Sequence, residues 1–346
     1  MTRGEELVPE AGAGGVAVVG FRPGGCSDKL EPMAKPLTYN ATLRERLDLT
    51  DSLAVFKVAP DEPPGGQGRS FVPGQYVVLG MNHDSRGPVR RAMSIASAPE
   101  EQDVFEFYIR YVDRPESDNP LTHILWPAEE GDRVFTTTKA TGRFTLDHTV
   151  GADDPRLKVF VAAGTGLAPF VSIIRSHRMR ERDPDLSRYV LLHGASYPED
   201  LGYRDEMQAA AAIPDGRGIH YHVTVSRPGE RPDWRGDSGR VEDYFRPERL
   251  GELEQRLGLA EGGLNAKSAV IYVCGLQGTI GNCITRLAER GFVPADRKLR
   301  KALDIPRDAS PNLFYEQYDN APVIDLDDAE LVAAVKDRLH RALAAA

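Results

Sequence analysis

The stretch Val159–Ile174, which reads VFVAAGTGLAPFVSII, decides the fold of the second half of the chain. Five apolar residues end at the turn Gly164-Thr165-Gly166, and a helical pattern begins at Pro169. Proline is favoured in the first turn of a helix, where its missing N–H would have no partner. The free N–H groups and the dipole of such a helix start favour an anion. The stretch therefore predicts a strand, a glycine turn and a helix that bind a phosphate or pyrophosphate; a tight connection without a ligand is the alternative.

Composition limits the classes of protein to consider. The chain has 346 residues, 41% of them hydrophobic and 27% charged, with a net charge of -9. This length allows two domains with separate cores, and no apolar run reaches the roughly 18 residues of a membrane span. We see no secretory signal, and the acidic balance argues against nucleic-acid binding. Three cysteines (Cys26, Cys274, Cys283) are too few and too poorly spaced for a disulfide framework or metal site, which predicts a cytoplasmic protein without a metal.

The sequence divides into four segments. Residues 1–35 are rich in Gly, Pro and Ala and are expected to be a disordered N-terminal extension. Residues 36–152 contain short runs of Val, Phe, Tyr and Thr between turn residues, which predicts an antiparallel β-barrel. From 153 to 318 strand-like and helical runs alternate, as in an α/β parallel-sheet (Rossmann-like) domain. Residues 319–346 form a C-terminal extension with a helical pattern.

Three motif residues follow different strands of the predicted parallel sheet. Gly164, Ser226 and Cys274 each lie where an apolar run ends. Ligands of open α/β sheets bind in the crevice outside the carboxyl ends of the strands. The sequence therefore predicts a binding site at this edge.

The segment Arg91-Ala92-Met93-Ser94 is the candidate for chemistry in the barrel. On a strand, Arg91 and Met93 share one face while Ala92 and Ser94 share the other. A guanidinium can clamp a phosphate through paired hydrogen bonds, and Ser94 is a small donor that can lie close to a flat ring. An ordinary barrel strand with surface arginines is the alternative.

Together these motifs resemble the plant-type ferredoxin–NADP(+) reductase family, over about residues 34–318 and in the same order. RAMSIAS at 91–97 resembles its flavin motif, GTGLAPF at 164–170 its pyrophosphate loop, VSR at 225–227 with GR at 239–240 its 2′-phosphate segment, YVCGLQG at 272–278 its nicotinamide-side motif, and EQY at 316–318 its closing Glu-x-Tyr. The resemblance implies that the barrel, 36–152, binds FAD and that the α/β domain, 153–318, binds NADP.

The FAD-binding residues that the resemblance implies are Arg91, Ala92, Met93, Ser94, Tyr108 and Ile109, with Pro120, Leu121 and Thr122 at a helix start for the pyrophosphate. Arg91 would bind the FAD phosphates, and Ser94 would hydrogen-bond near the flavin N5. Tyr108 and Ile109 would lie along the flavin and its ribityl chain. Met93 stands where the family has a tyrosine on one flavin face, and its thioether can still pack on a ring. Thr122 also has the side chain of a helix cap.

The NADP-binding residues that the resemblance implies are Gly164, Thr165, Gly166 and Pro169 for the pyrophosphate, Ser226, Arg227 and Arg240 for the 2′-phosphate, and Cys274, Gly275, Leu276 and Tyr318 on the nicotinamide side. The catalytic residues that it implies are Ser94, Cys274, Glu316 and Tyr318. Cys274 and Glu316 would border the nicotinamide, and Tyr318 would stack on the flavin until nicotinamide displaces it. The residues themselves also favour NADP over NAD, because the second strand of the α/β domain ends at Ser196 without an acid for the ribose hydroxyls.

The activity that the resemblance implies is FAD-dependent electron transfer between NADPH and a one-electron carrier, ferredoxin or flavodoxin, by hydride transfer between nicotinamide C4 and flavin N5. An acidic carrier would dock on positive charge near the flavin edge, for which Arg86, Arg90 and the cluster Arg297–Lys301 are candidates. Two alternatives stay open: the NAD(P)H-dependent reductase component of an oxygenase, and a non-catalytic flavin-binding regulatory subunit. The extension after Tyr318 departs from the family pattern, and could be a surface helix, an interface element or a lid.

Overall fold

The computed structural model describes residues 35–62, 71–101, 103–114, 120–151 and 153–345. The prediction of disorder for residues 1–35 therefore falls outside the described residues, apart from Lys35. Within the described part of the chain, no helix combines the length and the apolar character that a bilayer crossing requires.

The first half of the described chain folds into a six-stranded antiparallel sheet. Its elements are β1 (Ala41–Thr50), β2 (Leu53–Pro60), β3 (Tyr76–His83), β4 (Gly87–Ser94), β5 (Phe105–Arg110), α1 (Leu121–Leu125) and β6 (Arg133–Thr136). The strand order is β4-β3-β6-β1-β2-β5. The edges meet where the backbone N–H of Ala96, just past β4, donates to the carbonyl of Glu106 in β5 at 2.8 Å. The sheet thus curls into a barrel.

The second half alternates strands with helices. Its elements are β7 (Leu157–Ala163), α2 (Ala168–Arg180), β8 (Tyr189–Ala195), α3 (Arg204–Ala211), β9 (His220–Val225), β10 (Asp237–Ser238), α4 (Pro247–Arg256), β11 (Ala269–Gly275), α5 (Gln277–Leu287), α6 (Arg297–Ala302), β12 (Leu313–Gln317) and α7 (Ala329–Ala344). All strands are parallel, in the order β10-β9-β8-β7-β11-β12. The barrel followed by a parallel α/β sheet confirms the predicted fold class.

Alternation along β7 explains why its sequence is a continuous apolar run. Phe160 is buried in one cluster with residues of α2, α3 and the barrel, whereas Val159 and Val161 are buried in a second cluster with residues of α4 and α5. Successive side chains of a strand point to opposite faces, so a sheet covered on both sides needs apolar residues at every position. The barrel packs on the first of these faces, where Leu53 and Phe144 join the cluster.

β5 contributes to both the barrel core and the contact with the α/β sheet. Phe107 and Ile109 are buried in the barrel core. The intervening Glu106 and Tyr108 point to the other side, where Glu106 is only 4% exposed and accepts a hydrogen bond from Arg175 of α2 at 2.7 Å. A buried carboxylate is costly unless it is paired. This ion pair therefore fixes α2 against the barrel.

Tyr108 makes a second link across this contact. Its hydroxyl donates to the carbonyl of Asp200 at 3.0 Å and accepts from the N–H of Gly202 at 3.1 Å. A Cβ atom on Gly202 would lie 2.5 Å from that hydroxyl oxygen, so only glycine allows the approach. Burial raises the pKa of the Tyr108 hydroxyl, which keeps it protonated and able to donate.

We expect Tyr108→Phe to lower the free energy of unfolding by about 2 kcal/mol, because it leaves the buried N–H of Gly202 and carbonyl of Asp200 without their partner. Urea unfolding measures the change. The matched control is Tyr111→Phe, since the Tyr111 hydroxyl has no hydrogen-bond partner among the described residues, and its effect should stay below about 0.5 kcal/mol. Equal effects of the two substitutions would contradict this role of Tyr108.

The C-terminal extension contains a packed surface helix. Asp328 is the N-cap of α7, and its side chain accepts from the N–H of Leu331. Val335 and Leu339 of α7 are each 1% exposed and are buried against Leu303 and Ile305 beside α6. Residues Ala329–Ala344 of the extension therefore form a helix that packs beside α6.

Candidate active site

The parallel register brings Cys274 and Glu316 together at the carboxyl ends of the central strands. Cys274 of β11 lies beside Ala162 of β7 on one side and Glu316 of β12 on the other. Cys274 is fully buried, and burial raises the pKa of its thiol, which is therefore neutral at physiological pH. The two side chains lie at the edge where α/β sheets bind their ligands.

A hydrogen bond joins the barrel to this edge. Ser94, the last residue of β4, is buried, and its Oγ donates to Oε2 of Glu316 at 2.9 Å. Burial raises the pKa of Glu316 to about 7, while the bond from Ser94 opposes that rise. Glu316 can therefore be neutral or charged at physiological pH, and it lies where the two halves of the molecule meet.

Tyr318 covers the same place and is held at three atoms. Its N–H donates to the carbonyl of Gly275 at 3.2 Å, and its hydroxyl donates to the carbonyl of Thr165 at 3.3 Å. Its carbonyl receives a long contact from Nη2 of Arg91 at 3.5 Å. Burial raises the pKa of the Tyr318 hydroxyl, so that it stays a donor. The structure thus gathers the four predicted catalytic residues together with Arg91 and Thr165.

The two glycines of the turn differ in their surroundings, since one packs closely on β11 and the other faces open space. A Cβ on Gly166 would lie 2.1 Å from the carbonyl oxygen of Cys274, so this glycine lets the turn pack directly on β11. Gly164 has φ +56, and among the described residues, its chain neighbours aside, no atom lies within 4 Å of the place where its Cβ would be. Pro169 is in the first turn of α2, as predicted. An open backbone before the N-terminus of a 13-residue helix fits a pyrophosphate.

The predicted 2′-phosphate residues form a separate, exposed group. Ser226 and Arg227 follow β9, and Arg240 follows β10. The two segments are tied together by Thr224, whose Oγ1 donates to the carbonyl of Gly239 at 2.9 Å. The site therefore has positive charge at the same edge of the sheet as the glycine turn.

Sequence reasoning missed two residues of this group. The ring of Tyr197 lies under the guanidinium of Arg231, 4.8 Å from its centroid, and under that of Arg227 at 5.7 Å. The Tyr197 hydroxyl accepts from Nη1 of Arg227 at 3.1 Å, which fixes the arginine beside the edge of the sheet. The position of Tyr197 could have indicated it, because Tyr197 follows the end of β8 in the same way that Ser226 follows the end of β9.

Residues 120–122 lie at a helix start, as expected, but the capping chemistry of the Thr122 hydroxyl is not used for that helix. α1 begins at Leu121, its N-cap is Pro120, and no side chain caps it. Thr122 is buried inside the helix, where its hydroxyl accepts from the N–H of Val112 at 3.5 Å. The helix does pack against β3 and β4, the second of which carries Arg91.

The expectation that Tyr108 and Ile109 lie along the flavin stays a prediction. Both side chains are buried, Tyr108 against the α/β sheet and Ile109 in the barrel core. Of the other predicted contacts, Met93 is half-buried, Ala92 is exposed and Leu276 is 59% exposed.

We expect the buried carboxyl of Glu316 to make stability depend on pH. Because its pKa rises from 4.5 to about 7 on folding, the native state holds this proton over that interval whereas the unfolded chain releases it. The stabilisation from this proton is complete below the pKa of the unfolded chain. It is lost as the pH rises through the pKa of the folded protein, which lowers the free energy of unfolding by at most about 3 kcal/mol. Urea unfolding of wild type and Glu316→Gln at several pH values tests this. The two should diverge as the pH rises, and parallel curves would contradict it.

Comparison with known proteins extends these observations. Residues 160–283 match the oxidoreductase NAD-binding domain family. The chain is 32% identical over 237 residues to ferredoxin–NADP reductase B of Sorangium cellulosum (strain So ce56), which covers 68% of this chain and 86% of that protein. It is 35% identical over 214 residues to the ferredoxin–NADP reductase of Pseudomonas aeruginosa, which covers 60% of this chain and 74% of that protein.

Among solved structures, the fold is similar to that of a ferredoxin NADP+ reductase from Neisseria gonorrhoeae with bound FAD and NADP. The TM-score is 0.62 at 21% identity, over 81% of this chain and 98% of the other. At this identity the likeness concerns the fold, and the sequence relatives supply the family. The chain belongs to the ferredoxin–NADP reductase family.

Proposed function

We propose that this chain is a plant-type member of its family that transfers electrons between NADPH and a one-electron carrier protein through bound FAD. The observation that carries the proposal is the hydrogen bond between Ser94 and Glu316, which joins the end of a barrel strand to the ligand edge of the parallel sheet beside Cys274. Residues 36–152 are the proposed FAD domain and 153–318 the proposed NADP domain. The relatives named ferredoxin–NADP reductase support this activity.

The residues present fit both cofactors. Gly164 presents open backbone before α2, which suits the pyrophosphate of NADP. Arg227 and Arg240 suit its 2′-phosphate, because guanidinium groups bind phosphate through paired hydrogen bonds. Arg91, whose guanidinium lies 3.5 Å from the carbonyl of Tyr318, suits the phosphates of FAD for the same reason. When bound, FAD takes two electrons from NADPH and returns them one at a time.

The chain's own residues orient the reactants and control access. Ser94 donates its hydroxyl hydrogen to Glu316, which fixes the position of the Ser94 oxygen, and Glu316 can hold or release a proton near neutral pH because of its raised pKa. Tyr318 fills the space beside Cys274 and Thr165, which excludes water until nicotinamide takes its place. The neutral thiol of Cys274 adds a small, uncharged surface there. Its free state and that of Cys283 suit a reducing cytoplasm.

An acidic carrier, ferredoxin or flavodoxin, is the proposed partner. Arg90 lies on β4, the strand of Arg91 and Ser94, and Arg86 lies in the turn just before that strand. The other basic cluster is on α6, whose Leu299 packs on the sheet face opposite to the barrel. Because Arg90 and Arg86 belong to the barrel strand of Ser94 and to the turn before it, whereas α6 lies on the far face of the parallel sheet, we favour Arg86 and Arg90 as the docking charges.

We expect the double variant Arg86→Glu/Arg90→Glu to slow NADPH-driven reduction of a ferredoxin about tenfold at low salt, because like charges then oppose docking. The matched control is Lys298→Glu/Lys301→Glu, which reverses the same amount of charge on α6 and should leave the rate near wild type. Spectrophotometric carrier reduction measures both. Wild-type protein that oxidises NADPH without reducing any such carrier would contradict the proposed activity, and a larger effect of the control would contradict this docking surface.

A further inference from the structure

The residue after Tyr318 caps a helix that is distant in sequence. The carboxylate of Asp319 accepts from the backbone N–H of Gln277, the first residue of α5, at 3.1 Å. It also accepts from the side-chain amide of Gln317. Within α5 itself, the N-cap residue Leu276 provides no side-chain hydrogen bond. A negative group at a helix start satisfies a free N–H and interacts favourably with the helix dipole. Asp319 therefore ties the chain beside Tyr318 to α5.

A few residues later the chain is fixed to the same helix again. A Cβ on Gly281 of α5 would lie 2.1 Å from the carbonyl oxygen of Val323, so the two backbones are in direct contact. Ile324 is 4% exposed and belongs to the apolar cluster that contains residues of α5. We call residues 319–324 the strap, because both of its ends are fastened to α5.

We propose that the strap, through Asp319, holds Tyr318 in the active site and sets the free energy needed to displace it. The inference rests on the proposed function, in which nicotinamide takes the place of Tyr318. On the other side of Tyr318, β12 is fixed in the sheet, with Glu316 paired to Cys274 and Gln317 to Gly275. The cap at Asp319 therefore restrains the main chain at Tyr318 from the side opposite to β12. Asp319 is a positioning residue, since it acts on the site through Tyr318.

This arrangement has a consequence for nucleotide affinity. When a ligand binds only to one state of a protein, its apparent dissociation constant increases as the population of that state decreases. Loss of the cap makes the displaced position of Tyr318 easier to reach. We expect Asp319→Ala to lower the dissociation constant of NADP+ about fivefold, which corresponds to the typical contribution of a helix cap, about 1 kcal/mol.

A second ligand separates this effect from a general change in the NADP domain. The compound 2′,5′-ADP carries the phosphate that Arg227 and Arg240 are proposed to bind but has no nicotinamide. Its binding does not require Tyr318 to move. Asp319→Ala should therefore leave its dissociation constant unchanged. Calorimetric titration of the FAD-loaded protein measures both ligands.

Two further variants complete the test. Asp296 caps α6 by accepting from the N–H groups of Lys298 and Leu299, both at 2.9 Å, so Asp296→Ala removes a similar cap away from the site and should change neither affinity. Asp319→Asn keeps an oxygen acceptor for Gln277 and should bind NADP+ nearly as wild type does. Tighter NADP+ binding in Asp319→Ala alone supports the inference. Unchanged NADP+ binding, or equal shifts for both ligands, would overturn it. Wild-type protein that binds neither ligand would instead overturn the proposed function, and the inference with it.

Discussion

Replacing Ser94 with alanine will lower the rate of flavin reduction by NADPH by about 100-fold or more and leave NADP+ binding near that of wild type. Removal of one preorganised hydroxyl dipole from a water-excluded site typically costs that much in rate. The loss should be larger than for an exposed serine, because Ser94 is buried and oriented by its hydrogen bond to Glu316. Without that donor the pKa of Glu316 should rise further, since the bond now lowers it. Anaerobic stopped-flow spectroscopy measures the rate.

Ser97→Ala is the matched control for this substitution. Ser97 lies three positions along the same segment, is fully buried, and bonds the carbonyl of Val104 and the N–H of Glu106, both at 3.1 Å. Its replacement should lower stability by about 1 kcal/mol but leave flavin reduction unchanged. A Ser94→Ala rate within about threefold of wild type, or an equal loss in the control, would contradict the role of Ser94.

Removing both Arg227 and Arg240 will lower the preference for NADPH over NADH by about 100-fold or more. Hydrogen bonds to charged groups contribute about 1.5–3 kcal/mol each, and NADH lacks the phosphate that would receive them. Both side chains are exposed, so the double alanine variant should fold normally. The dissociation constants and flavin reduction rates with the two nucleotides give the preference.

Arg235→Ala controls for the removal of positive charge near this site. Arg235 is exposed in the same loop, where its guanidinium donates to the carbonyls of Pro232 and Trp234. It should keep the wild-type preference. If the double variant lost affinity for NADPH and NADH equally, or lost none, these arginines would not be the phosphate-binding residues.

Much of the fold could be predicted because its determinants are local. The apolar run at 159–163 indicates a strand buried on both faces, and the following glycine turn and Pro169 mark the start of α2. The exact start of α1 is harder to predict. Thr122 has the side chain of a helix cap, but its hydroxyl accepts from the N–H of Val112 inside the helix, and the start of so short a helix is set by such tertiary contacts.

The sequence supplies candidate residues for the site but not the connections between them. Ser94 and Glu316 are 222 positions apart, so only the packing of the barrel on the sheet makes them partners. Resemblance to a family located both, whereas composition and periodicity alone would not have done so. Asp319 was missed because it caps a helix 42 positions away, and a helix cap can be recognised in a sequence only when it is adjacent to its helix.

The most direct test of the proposed activity is anaerobic reduction of the bound flavin by NADPH and by NADH in one preparation, followed as bleaching near about 450 nm, the region where flavins absorb. We expect rapid bleaching by NADPH and reduction by NADH at least about 100-fold slower, since NADH cannot use the charges of Arg227 and Arg240. Faster bleaching by NADH would contradict the NADPH assignment and favour the reductase component of an oxygenase. Protein that binds FAD but is bleached by neither nucleotide would contradict the enzymatic function altogether.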